Sequence, residues 1–147
     1  MPHLIAVSMP TAIATLNDLL RGERAAVASY ELASRHAGAA HADDLEANRL
    51  SHARRRGVLI RRIVDLGGTA AAASGAWTGF PWQAGDAPPA DPAAVISALE
   101  RSEDLALDTC YEALADLDHV SLNLVLQQVL PAQKRSHQRM AAIRAPR

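Results

Sequence analysis

Residues 69–90, TAAAASGAWTGFPWQAGDAPPA, constrain the fold of this chain more than any other stretch. They lack a helical period, and small residues, Gly and Pro dominate them. On each side lie two segments that do have a helical period, joined by a short connection. The connections therefore run short, long, short. A connection of this length is uncommon inside a compact domain unless it is a functional loop or a long crossover. Both tryptophans and the only phenylalanine fall within it, which argues against a floppy linker. Trp77, Phe80 and Trp82 are expected to pin the crossover to the helices, or alternatively to cover a dimer surface.

The four periodic segments are expected at about 10–37, 43–66, 91–117 and 119–143. Ser8 or Thr11 suits the first N-cap, with Pro10 tolerated in the first turn and Gly38 as a stop. Asp43 and Asp44 suit the start of the second helix and DLGG its end. Asp91-Pro92 opens the third, and DLDHVS marks a tight turn into the fourth. Pro131 falls inside the fourth helix and should kink or restart it, at about 3 kcal/mol in an ordinary interior.

The chain has 147 residues, a net charge of −1 and only 3% aromatic residues. That size predicts one domain over residues 1–147 with a single core. The near-neutral balance provides no field for nucleic acid or membrane. Arg54-Arg55-Arg56 and Arg61-Arg62 read as a solvated helix face rather than a phosphate-binding surface. One cysteine, Cys110, excludes an intramolecular disulfide and a cysteine-based zinc cluster. Apolar runs are too short to span a bilayer, and the first ten residues lack a basic n-region and a clear cleavage site. A cytoplasmic location is expected.

The apolar stripes are interrupted in a repeated way. The first reads Leu16, Leu20, Glu23, Val27, Tyr30, and the second Leu45, His52, Leu59, Ile63, Leu66. The third reads Ile96, Leu99, Glu103, Cys110, Leu114, Leu117, and the fourth Leu126, Val129, Gln133, His137, Met140, Ile143. Each hairpin thus offers a stripe glutamate followed by a stripe histidine. A carboxylate on a core stripe is costly unless it is paired, protonated or bound to a cation. Two carboxylates and two imidazoles at a bundle centre suit Zn²⁺, Mn²⁺ or iron. The histidines end two similar words, Arg49-Leu50-Ser51-His52 and Lys134-Arg135-Ser136-His137. Serine and histidine adjacent on a helix point about 100° apart, so neither word makes a nucleophilic Ser–His pair.

LNDLLRGERAAVASYELA (16–33), with Glu23 and Tyr30 seven residues apart, resembles the first helix of ferritin-like bacterial proteins. SGAWTGF (74–80), ERSEDLALDTCYEAL (100–114) and LPAQKRSH (130–137) resemble an uncharacterised branch of that superfamily. The resemblance covers almost the whole chain. It implies an all-α, ferritin-like four-helix bundle with a long crossover between helices 2 and 3. It also implies a centre made by Glu23, His52, Glu103 and His137. Di-metal members carry Glu-x-x-His on two helices. The glutamate of that word falls here on Arg49 and Lys134, which weighs against ferroxidase or oxygen-activating chemistry. Two readings remain. In one, a single divalent ion (Fe, Mn or Zn) sits among the four residues. In the other, no metal binds, the carboxylates pair with Arg49, Lys134 and the histidines, and the chain is a structural or stress-associated bundle. A homodimer through a helix face or the aromatic crossover is the expected assembly. Nothing in the sequence names a substrate.

Overall fold

The computed structural model describes residues 6–75, 79–83 and 85–144, so Trp77 lies outside the described residues. Helix α1 spans Met9–Ser34, α2 Ala42–Asp65 and α3 Pro92–Ala113. The last helical segment consists of α4 (His119–Leu124), a π turn (Val125–Val129) and α5 (Leu130–Arg144). No strand occurs among the described residues, and none of their helices is long and apolar enough to cross a membrane.

Local chemistry sets the helix ends. The Ser8 hydroxyl accepts from the Thr11 amide at 3.2 Å, Asp91 from Ala93 at 3.1 Å and Asp118 from Ser121 at 3.2 Å. Each supplies an acceptor for an otherwise orphaned first-turn N–H. Helix α2 stops at Gly67, whose φ of 79° suits a residue without a Cβ. At the neighbouring Gly68 a Cβ would lie 2.8 Å from the Ile13 side chain, so α1 and the end of α2 approach closely only with glycine there.

Helix α1 packs mainly on α2, and α3 on α5, giving two hairpins. Buried apolar residues form two clusters. One contains Leu16, Leu20, Leu59, Ile63 and Val125, and the other Ala26, Tyr30, Leu45, Leu99 and Met140. The crossover belongs to the second cluster. Phe80 and Trp82 are buried, and the Ser29 hydroxyl donates to the Trp82 carbonyl at 2.7 Å and accepts from its amide at 3.0 Å. Asn17 clamps the start of the crossover through the Thr69 carbonyl and the Ala71 amide. These two aromatic rings therefore face inward and do not offer a surface to a second chain.

The fourth helix departs from an uninterrupted period. The Leu130 amide reaches back to the Val125 carbonyl, an i→i−5 bond, one residue before Pro131. The restart expected at Pro131 thus takes the form of a π turn, which inserts about one residue into the helix. Val125, Val129, Gln133, Ser136 and Met140 are buried, whereas Leu126 is exposed. The expected stripe holds at Val129, Gln133 and Met140, with Val125 buried in place of Leu126 at the π turn and Ser136 in place of His137 beyond it.

Candidate functional site

Polar side chains from all four helices meet between the two apolar clusters. Glu23 comes from α1, His52 and Arg55 from α2, Glu103 from α3, and Gln133 and Ser136 from α5. All six are buried. Both helix pairs have i, i+3 spacing, which places their members on one face.

His52 bridges the carboxylates, with Nδ1 2.9 Å from Glu23 Oε1 and Nε2 2.7 Å from Glu103 Oε2. A neutral imidazole has one N–H, whereas a doubly protonated ring donates to both acceptors. Burial alone would pull the His52 pKa down. Attraction to Glu103 and Glu23 outweighs that burial and the repulsion of Arg55, and holds it above its ordinary value.

Glu103 is saturated. Its Oε2 also accepts from the Tyr30 hydroxyl at 2.6 Å, and its Oε1 accepts from Gln133 Nε2 at 2.8 Å and Ser136 Oγ at 2.6 Å. Burial would raise its pKa, but the charge and hydrogen bond of His52, with Arg55 and Ser136, bring it down to about 2. Burial and the adjacent Glu103 push the Tyr30 phenol well above its usual range, so it remains a donor.

Arg55 has three nitrogens engaged. Nη1 donates to Gln133 Oε1 at 2.5 Å, Nη2 to Ser136 Oγ at 3.0 Å and Ser51 Oγ at 3.1 Å, and Nε to the Ser51 carbonyl at 3.3 Å. Nε also lies 3.4 Å from Glu23 Oε2, an ion pair without a hydrogen bond, because its single N–H points at Ser51. Glu23 Oε2 has no hydrogen-bond partner. Asn48 extends the array, donating to the Tyr30 oxygen at 3.0 Å and accepting from Arg139 at 2.6 Å. Phe80 closes it from the crossover, edge-on to the His52 ring with centroids 5.4 Å apart.

With its geometry described, the chain can be set beside known proteins. No protein-family model matches it, and no curated protein sequence does. It is similar to the crystal structure of ferritin-like, diiron-carboxylate proteins from Bacillus anthracis str. Ames. The TM-score is 0.73, with 15% identity over 93% of this chain and 97% of that one. The fold is ferritin-like.

Within this ferritin-like bundle the structure departs from the sequence expectation in three places. Glu23, His52 and Glu103 meet at the centre, but His137 does not. Ser136, three residues after Gln133, takes the inward seat, and His137 lies on the outer α3/α5 seam with Nε2 3.0 Å from Asp104 Oδ1. Arg49 and Lys134 do not enter the network either. Arg49 pairs with Glu46 at 2.6 Å on the surface, and Lys134 Nζ stands 5.7 Å from the Tyr111 ring centroid. The buried cation is Arg55, which stands within Arg54-Arg55-Arg56, a run that reads as a solvated face. Its signal was the heptad Leu45, His52, Leu59 with Asn48 and Arg55 in the intermediate slots. Gln133 stands on the fourth stripe as a polar letter, whereas Ser136 has no such signal, because a hydroxyl also occurs on solvated faces.

His137, Glu100 and Asp104 form a separate group, each offering a ligand atom within 4.8 Å of the others. Asp104 is mostly exposed, and Glu100 pairs with Arg144 at 3.1 Å. At the centre, Cys110 is buried beside Glu23, and burial pushes its thiol up to about 12, so it is a poor nucleophile.

Proposed function

We propose that the chain is one bundle domain with a structural or stress-associated role, held by a self-neutralising ionic network where ferritin-like proteins hold metal. The observation that carries this reading is Arg55. Its guanidinium is buried between helices, bonded to Gln133 and Ser136 of α5 and 3.4 Å from the Glu23 carboxylate.

The solved relative is described as diiron-carboxylate, so a di-metal centre is the natural alternative. Such centres use one Glu from each of two helices and Glu-x-x-His from the other two. Here the single positions are Glu23 and Glu103. The paired positions read His52-x-x-Arg55 and Gln133-x-x-Ser136. Two carboxylates remain of four, the one imidazole has both nitrogens engaged, and a guanidinium cannot ligate. These residues do not fit a pair of divalent ions. Glu23 and Glu103 are instead balanced by His52 and Arg55, the arrangement expected of buried charges.

Reconstitution with Fe²⁺, Mn²⁺ and Zn²⁺ followed by elemental analysis tests this. Sub-stoichiometric metal and unchanged melting in chelator are expected. One ion per chain, lost on His52→Gln, overturns the reading. A mononuclear role is favoured by a different observation, the Glu100–Asp104–His137 group, and would appear as metal lost on His137→Ala but retained in His52→Gln. Assembly as a homodimer through a helix face belongs to the same proposal. Light scattering at high concentration should give twice the chain mass, and a monodisperse monomer would rule the dimer out.

A further inference from the structure

Glu23 Oε2 is the one unpartnered oxygen among the central carboxylates of the described residues, and Glu23 lines a cavity. The cavity has a volume of about 20 Å³ and lies between α1 and α3, with polar lining from Glu23, Gln133 and Thr109. A water molecule needs roughly 10–15 Å³ and two or more polar partners. A wider cleft that shares Leu19 and Thr109 continues outward between the same helices, past Asp18, Glu112 and Asp116. The Thr109 hydroxyl donates to the Leu105 carbonyl, which leaves its oxygen as an acceptor.

The charge count decides what fits. Two carboxylates face one guanidinium and one doubly donating imidazole, so within the buried array an added cation meets no unbalanced negative charge. A neutral donor, by contrast, satisfies a lone pair whose desolvation otherwise costs about 1–3 kcal/mol. We infer that the inner end of the α1/α3 cleft binds one neutral hydrogen-bond donor, a water molecule. It is held on Glu23 Oε2 and forms the point at which the buried array exchanges protons with solvent. This site rests on the cavity and the unpartnered oxygen, and does not depend on the absence of metal elsewhere.

Crystals of the full chain grown with rubidium chloride test the occupant. A single peak about 3 Å from Glu23 Oε2 without anomalous signal is expected. A rubidium anomalous peak there overturns the neutral donor. So does a dry cavity in which Arg55 Nε has closed onto Oε2. In solution, Ala106→Leu fills the cavity, and His52 ring N–H exchange followed by NMR should slow by roughly tenfold or more. An unchanged exchange rate in a folded Ala106→Leu variant overturns the exchange route, and wild-type crystals decide occupancy if that variant does not fold.

Discussion

The two hairpins present the same outline and opposite charge. Each contributes a stripe glutamate from its first helix and an i, i+3 pair from its second. In the α1/α2 hairpin that pair is His52 and Arg55, so its central groups sum to +1 when His52 is protonated. In the α3/α5 hairpin the pair is Gln133 and Ser136, and the sum is −1 from Glu103 alone. Neither half is electrically complete. Their docking neutralises both, and the donors to Glu103 come from α1, α2 and α5 together. Buried networks of this kind add little net stability over apolar packing but are costly to break by halves. The asymmetry thus specifies which face of one hairpin meets the other.

The largest effect should follow from removing the cation of the first hairpin. Arg55→Met leaves Glu23 and Gln133 without their partner and should cost about 3–5 kcal/mol in urea denaturation. A loss below 1 kcal/mol would mean that the charge asymmetry does not hold the hairpins. Next comes acid. Glu103 is held at about 2 against an ordinary 4.5, so its contribution is complete above pH 4.5 and disappears as pH falls toward 2. That amounts to about 3 kcal/mol, measurable as denaturation midpoints across that range. Glu103→Gln should flatten this acid branch. His52 has the opposite sign. Its raised pKa gives a contribution that is complete below pH 6.5 and lost as pH rises through the folded value, so melting temperature should decline on the alkaline side.

A smaller loss is expected in the second hairpin. Gln133→Leu removes two donors from Glu103 and an acceptor from Arg55, at about 2 kcal/mol. If it matched Arg55→Met, charge would not distinguish the halves. The smallest effect is at the seam. His137→Ala breaks one half-exposed pair with Asp104 and should change stability by less than about 0.5 kcal/mol.

The helices and their order were legible because stripes, caps and the long connection all agree. Glu23, His52 and Glu103 were legible as polar letters on apolar stripes. Arg55 was hidden by its company, since three consecutive arginines read as a solvated face even when one of them completes a heptad. His137 was misplaced because a step of four was taken from Gln133, while the chain seats Ser136, three residues on, and leaves His137 at the edge of the stripe. The π turn instead put Val125 inside in place of Leu126, and local periodicity cannot register it, because the i→i−5 bond leaves no letter of its own in the sequence.

That turn behaves like a frameshift within a helix. Letters before Val125 and after Val129 are read in different frames. Lys134-Arg135-Ser136-His137 looks like a copy of Arg49-Leu50-Ser51-His52, yet the residue that matches His52 across the bundle is Gln133, one turn before His137, so likeness of letters is not likeness of place. Deleting one residue from the turn would remove the extra residue and its i→i−5 bond, leaving one continuous frame with Gln133 and Ser136 still in their seats.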